Sequence, residues 1–253
     1  MIKSKILNYW SSRAKSKSLK CSNDRNLELA EIKYLKKIIR RNSKVLDIGC
    51  GDGELLRQLK KNLNIKAYGF DFSPKLIQIA KRKSKNINYY CLDMLQLDNL
   101  KKELKINFDY IITKRSIQNL VNWNSQKKFI NSVNIFCHKK TKILFFECSS
   151  SATEQINKMR KILNLKKIVM PWFNLYLNDK KVINTKFKKI KLVKIQELFS
   201  TYFFVSRVIN AYHNEKNNSK PKYNDHINLG AWKLPQNLTE GFSQLKLYIF
   251  KIK

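Results

Sequence analysis

Several things are scarce in this chain of 253 residues. It has three histidines and five cysteines. No two cysteines stand in a C-x-x-C pair, and His138, His213 and His226 are far apart in sequence, so no metal-binding pattern is present. An odd cysteine count, no apolar leader and a lysine-rich start, Met1-Ile2-Lys3-Ser4-Lys5, lead us to expect a cytoplasmic protein kept reduced. No apolar run approaches the roughly 18 residues of a membrane span. Acidic residues number 18 against 52 lysines and arginines, a net charge of +34. Such a surface attracts nucleic acid and leaves peripheral contact with an anionic membrane open. The excess is mostly lysine, however, and it accompanies abundant asparagine and isoleucine, all three with A/T-rich codons. Genome composition therefore accounts for it as well. Arginine, whose planar fork reads phosphate in a bidentate way, is the scarcer of the two cations.

Glycine is also scarce, six residues in all, yet three alternate at Gly49, Gly51 and Gly53. They lie in Val45-Leu46-Asp47-Ile48-Gly49-Cys50-Gly51-Asp52-Gly53-Glu54-Leu55-Leu56, where an apolar strand ends in an acid and a glycine loop opens a helix. Glycine backbone lets a ligand approach closely, and the helix start offers unpaired N–H groups. The spacing is Asp-x-Gly-x-Gly-x-Gly rather than the G-x-G-x-x-G of dinucleotide sites. A carboxylate this close would repel a pyrophosphate. It suits a ligand carrying an amino group and a sulfonium.

A second strand, Ile65 to Phe70, ends at Asp71-Phe72-Ser73-Pro74 before a helix over Lys75 to Lys85. Asp71 follows Gly53 by 18 residues, near the roughly 20-residue interval at which a strand-end acid meets ribose hydroxyls. Ser73-Pro74 supplies the helix cap and first turn. A third strand, Asn88 to Leu92, closes on Asp93-Met94, where the acid reads equally as a helix cap. A fourth, Phe108 to Thr113, runs into the loop Lys114-Arg115-Ser116-Ile117-Gln118-Asn119-Leu120. A helix over Ser125 to His138 and a fifth strand, Lys142 to Glu147, complete a βαβαβαβαβ order. That order predicts an α/β fold, a doubly wound, mostly parallel sheet with helices on both faces and right-handed crossovers.

With these motifs the chain resembles the class I S-adenosylmethionine-dependent methyltransferases. The resemblance implies a Rossmann-like, seven-stranded sheet whose last strand, Gln244 to Ile252, is antiparallel, with Lys189 to Gln196 as the sixth. It implies S-adenosyl-L-methionine as cofactor, held by Asp47, Gly49, Cys50, Gly51, Gly53, Asp71, Phe72 and Ser73, with Asp93 and Met94 at the adenine and Lys114 at the end of the fourth strand. Tyr9-Trp10-Ser11-Ser12-Arg13-Ala14, Ser22-Asn23-Asp24, Pro171-Trp172-Phe173-Asn174 and Ser206-Arg207-Val208-Ile209-Asn210-Ala211 are similar to a bacterial group associated with surface-polysaccharide genes. The chain departs from that group at Lys114-Arg115, where smaller residues are usual. One methyltransferase domain over residues 1–253 is expected: a helical cap to residue 42, a cofactor-binding core over 43–150, and acceptor-side insertions with the final strands over 151–253.

An N-terminal segment ahead of the sheet can fold over the cofactor, with Trp10 beside it and Arg13 pairing with its methionine carboxylate. The insertion before the last strand is expected to overhang the active-site edge. The expected acceptor is a small molecule or a glycan, contacted by Trp172, Asn174, Tyr202, Arg207 and Tyr212 and methylated at a hydroxyl oxygen. A hydroxyl benefits from a base, and His213 and Glu147 are the candidates. RNA or DNA methylation is the competing reading. No Asp/Asn-Pro-Pro-Tyr/Phe follows the fourth strand and no cysteine sits beside proline, so two marks of nucleic-acid methylation are missing.

Overall fold

A strand buried on both faces has no polar side to alternate with, and Val45, Leu46 and Ile48 lie on such a strand, each fully buried. The computed structural model describes residues 2–14 and 23–253. Ser22 and Cys21 lie outside the described residues. The chain opens with α1 (Ile2–Arg13) and α2 (Arg25–Ile38), then alternates β1 (Lys44–Ile48), α3 (Glu54–Leu63), β2 (Lys66–Asp71), α4 (Pro74–Lys83), β3 (Asn88–Cys91), α5 (Leu97–Glu103), β4 (Phe108–Lys114), α6 (Trp123–Ser132) and β5 (Cys137–Cys148). After α7 (Ser150–Ile162) and α8 (Asp179–Asn184) come β6 (Ile190–Glu197), a helical insertion, and β7 (Leu245–Ile252).

The seven strands form one sheet in the order β3-β2-β1-β4-β5-β7-β6. β1 to β5 pair in parallel, and β7 runs antiparallel to both β5 and β6. Chain order reverses between β1 and β4. That reversal opens a crevice at the carboxyl ends of the strands. Helices α2, α3 and α4 cover one face around Leu35, Leu56 and Ile77, while α5, α6 and α8 cover the other around Leu100, Phe129 and Val182. Fully burying one such side chain contributes about 1.5–3 kcal/mol.

One expectation needs correction. The helix expected over 125–138 stops at Ser132, and a 3₁₀ turn, Val133–Phe136, leads straight into β5 at Cys137. Val133 and Phe136 are both buried, so they keep a helical i, i+3 spacing while the backbone tightens toward the strand. The fifth strand thus begins earlier than Lys142. The insertion before β7 packs against the start of α2. It comprises α9 (Ser200–Phe204), a π-helical turn (Val205–Ile209), α10 (Asn210–Lys216) and α11 (His226–Ala231). Tyr202 anchors it: the ring stacks on Trp232 with centroids 4.0 Å apart, and the hydroxyl donates to Asp24 Oδ2 at 2.5 Å. Asp24 caps α2 through its other oxygen, which accepts from Leu27 N at 3.1 Å.

Gly53 begins α3 in the left-handed region, φ 78°. A Cβ there would collide with the Tyr89 hydroxyl from the neighbouring strand β3. Gly53→Ala should therefore cost about 1–3 kcal/mol in urea unfolding, from backbone strain and this collision.

Candidate active site

The crevice between β1 and β4 is a cavity of about 380 Å³, within the range of small-ligand sites. Three strand-end acids line it: Asp47, Asp71 and Asp93. Asp71 sits at the end of β2, where Oδ2 accepts from Gly51 N at 3.0 Å and Oδ1 from Ser73 N at 2.9 Å. It ties the glycine loop to the start of α4, and each oxygen keeps a second lone pair. Burial pushes its carboxyl up to about 6 against the pull of those backbone N–H groups. Asp47 differs. Its Oδ1 is buried with no hydrogen-bond partner among the described residues, and burial pushes its carboxyl up to about 7, partly offset by nearby Lys114. Asp93 caps the turn after β3, accepting from Leu95 N at 2.9 Å, and pairs with Lys3. It lines the cavity and caps at once.

Gly49, Cys50, Gly51, Phe72, Met94 and Lys114 line the same cavity, and so do Trp10, Arg13 and Asn174. Gly53 and Ser73 do not, and they shape the cradle from behind. Gly53 packs against Tyr89, and Ser73 caps α4 through Leu76 N. Helix α1 forms one wall through Ile2, Lys3, Ile6, Tyr9, Trp10 and Arg13, a spacing that keeps them on one helical face. Ile6 is buried, Trp10 Nε1 donates to Asn119 Oδ1 at 3.0 Å, and Arg13 donates to Asn23 Oδ1 at 3.3 Å. Lys114 reaches Glu28 and Glu31 on α2 at 3.4 and 3.5 Å, and Arg115 reaches Glu31 at 3.0 Å. The unusual Lys114-Arg115 pair thereby binds the end of β4 to α2.

Neither base candidate lines the cavity. Glu147 is fully buried, with Oε1 accepting from Thr113 Oγ1 at 2.7 Å and from Ser116 N and Ile117 N at 3.1 Å, and Oε2 from Gln118 N at 3.4 Å. Burial pushes it up to about 7 against these bonds. It is a positioning residue that fixes the loop after β4. His213 is exposed on α10, beside Asn217. The other acceptor candidates are placed outside the cavity as well. Tyr202 is buried against Asp24, and Arg207 lies 3.8 Å from that same carboxylate, with its guanidinium over the Phe203 and Tyr223 rings. Tyr212 is exposed beneath Lys216, and Trp172 is 56% exposed, edge-on to Tyr9 and Phe173. An aromatic residue beside polar neighbours looks the same in sequence whether it stacks on a ligand or buries a helix cap.

Sequence reasoning left out Gln118, Asn119, Phe173 and Glu28, all of which line the cavity. The available signal was positional: Gln118 and Asn119 stand in the loop after β4, at the ligand-binding edge.

A nucleotide-type cradle at the switch point of a seven-stranded sheet defines a cofactor-binding α/β enzyme. The sequence matches the family described as Methyltransferase domain over residues 39–200, and the chain belongs to that family. No curated protein matches it. Among solved structures it is similar to the N-methyltransferase NodS from Bradyrhizobium japonicum WM9, bound to S-adenosyl-L-homocysteine, with 12% identity, 98% of each chain covered and a TM-score of 0.58. It is also similar to a TehB-like SAM-dependent methyltransferase from Corynebacterium glutamicum, with 14% identity, 90% of this chain and 94% of that one covered, and a TM-score of 0.52. The sugar N-methyltransferase KedS8 from Streptoalloteichus sp. matches at 21% identity and a TM-score of 0.41, and the chain spans about half of its length, 47%.

The protein is a methyltransferase whose cofactor is S-adenosylmethionine, and the cavity fits that molecule. An unpartnered buried acceptor at Asp47 matches an ammonium group, and Asp71 retains acceptor capacity for hydroxyls. Phe72 and Met94 offer apolar surface for a base. The bound cofactor supplies an electrophilic methyl on a sulfonium, and the chain's own residues bind, orient and exclude water around it.

Asp71 takes up its proton around pH 6 and Asp47 around pH 7, and each proton opposes binding of a cation or a hydroxyl donor. Affinity for S-adenosylhomocysteine should therefore rise between about pH 5.5 and 8 as Asp71 and then Asp47 ionise. Calorimetry across that range checks the sign. Asp47→Asn should flatten the upper part of the profile and weaken binding about 10- to 100-fold, the worth of one charge-assisted hydrogen bond. Asp71→Ala is the less informative variant, because it also releases the glycine loop.

Proposed function

We propose that the protein transfers the methyl group of S-adenosylmethionine to a small-molecule or glycan acceptor. The observation that carries this reading is a single walled cavity, lined both by the acids of the cofactor cradle and by Phe173, Asn174 and the loop after β4. Binding both partners in one enclosed space supplies positioning and desolvation, which are the main requirements of a displacement at carbon. The volume and the α1 wall favour a compact acceptor over a polymer threaded through an open groove. The sequence resemblance to a group associated with surface polysaccharides adds support for a glycan. A hydroxyl acceptor was expected, with His213 or Glu147 as its base, and neither candidate lines the cavity.

The net charge of +34 is the one observation favouring RNA or DNA instead. A direct comparison separates the two. Purified protein is given methyl-labelled S-adenosylmethionine with sugar nucleotides and lipid-linked glycans in one set, and RNA and DNA in the other. Label should enter the first set at a rate little changed between about 50 and 200 mM salt. Label in nucleic acid, falling steeply over that salt range, would overturn the proposal.

A further inference from the structure

Gln118 and Asn174 are the two carboxamides in the cavity wall that stand out energetically. Gln118 is 7% exposed and Asn174 9% exposed, and Gln118 Oε1 and Asn174 Oδ1 are buried without a hydrogen-bond partner among the described residues. Their neighbour Asn119 is the contrast, since its Oδ1 accepts from Trp10 and its Nδ2 donates to Ser116 O at 3.3 Å. A buried carbonyl oxygen left without a donor is costly and is retained where a ligand supplies the hydrogen.

The backbone holds the two residues in one place. Gln118 O accepts from Leu175 N at 2.6 Å, joining the loop after β4 to the segment carrying Asn174. Gln118 N is fixed by Glu147, Asn174 N donates to Pro171 O at 3.0 Å, and Gln126 Nε2 donates to Leu175 O at 2.7 Å. Beside them Phe173 stacks on Tyr9 at 4.2 Å between centroids, with Trp10 edge-on at 6.0 Å. Two orphaned acceptors next to an aromatic wall make a built recognition site for a small ring carrying hydrogen-bond donors.

The cavity also narrows the kind of donor. Among the described residues no histidine lines it. Its carboxylates are committed: Glu28 to Arg25, Asp52 to Lys83 and Arg57, Glu54 to Arg57, Asp71 to backbone N–H groups, and Asp93 to Lys3. Asp47, on β1 just before the glycine loop, is the acid assigned above to the cofactor's ammonium group. With Asp47 given to the cofactor, a hydroxyl would have no uncommitted carboxylate or histidine among the described lining residues to take its proton, whereas a neutral amine attacks through a lone pair it already has.

We propose that Gln118 and Asn174 bind the acceptor, and that the acceptor atom is an amine nitrogen whose N–H groups donate to these two carbonyl oxygens, leaving the lone pair free. The inference rests on the methyltransferase reading above. The nitrogen lone pair forms the new N–C bond as the C–S bond breaks, its electron pair returns to sulfur, and the methylated ammonium then releases one proton to water.

The test uses purified protein, ¹³C-methyl-labelled S-adenosylmethionine and matched acceptor pairs, each an amino sugar beside the sugar with a hydroxyl at the same carbon, free and as nucleoside diphosphate conjugates. NMR reads whether the methyl is bonded to nitrogen or oxygen. We expect N-methyl product only. Gln118→Met and Asn174→Leu should each raise KM for the amine about 10- to 100-fold. Gln118→Glu, which keeps the acceptor oxygen, should have a lower KM than Gln118→Met, and thermal melting reports whether each variant is folded. Affinity for S-adenosylhomocysteine should change by less than about twofold in all three, since none touches the cradle acids. O-linked methyl, transfer to none of the amines, or an unchanged KM in both apolar variants would overturn the inference. Wild-type protein failing to bind S-adenosylhomocysteine would instead overturn the methyltransferase reading itself.

Discussion

The site depends on a buried carboxylate that never meets the ligand. Glu147, at the end of β5, takes three consecutive backbone N–H groups of the loop after β4 together with the Thr113 hydroxyl. Without it those donors would be stranded in a dry interior, at about 1–3 kcal/mol each. With it the loop turns sharply at Arg115, φ 56°, and presses Ser116 against Gly49. The glycine loop and the cavity wall carrying Gln118 are thereby fixed relative to each other by a single side chain. Asp71 does the same for the glycine loop and α4, and Asp24 for α2 and the helical insertion.

A pattern follows in how the chain uses its few acids. Of 18 acidic residues, eight are buried, whereas no lysine or arginine among the described residues is. Most sit at strand ends, loops or helix starts, and Glu28 and Glu31 inside α2; they accept backbone N–H groups or pair with cations that reach inward. Lys114, Arg115, Arg57 and Lys246 are such cations. The lysine excess is thus an exterior property, laid over an interior organised by carboxylates.

The cofactor edge was legible in the sequence because its information is local. Asp47, the alternating glycines, Asp71 and Asp93 follow from strand ends and chain spacing, which the parallel sheet preserves. The positions of Trp10 and Arg13 were legible too, since a helix preceding β1 has the crevice within reach. The acceptor side was not, because its logic is long-range. Tyr202 finds Asp24 across 178 residues, and nothing near Tyr202 in sequence announces that partner. Gln118 and Asn174 acquire meaning only once the hydrogen bond from Leu175 brings two loops together. Glu147 was noticed for its place at a strand end, but its commitment to four donors is visible only in three dimensions.

Sequestering the acids inside has a consequence for how the protein responds to its medium. Surface charge of a single dominant sign repels itself over roughly a Debye length, about 10 Å at 0.1 M salt. Interior carboxylates, shielded from the electrolyte, are screened much less. Added electrolyte therefore relaxes the strain of the shell while leaving the binding machinery nearly untouched. The fold has divided its electrostatics into an outer layer that belongs to the solvent and an inner one that holds the loops and the cavity in place.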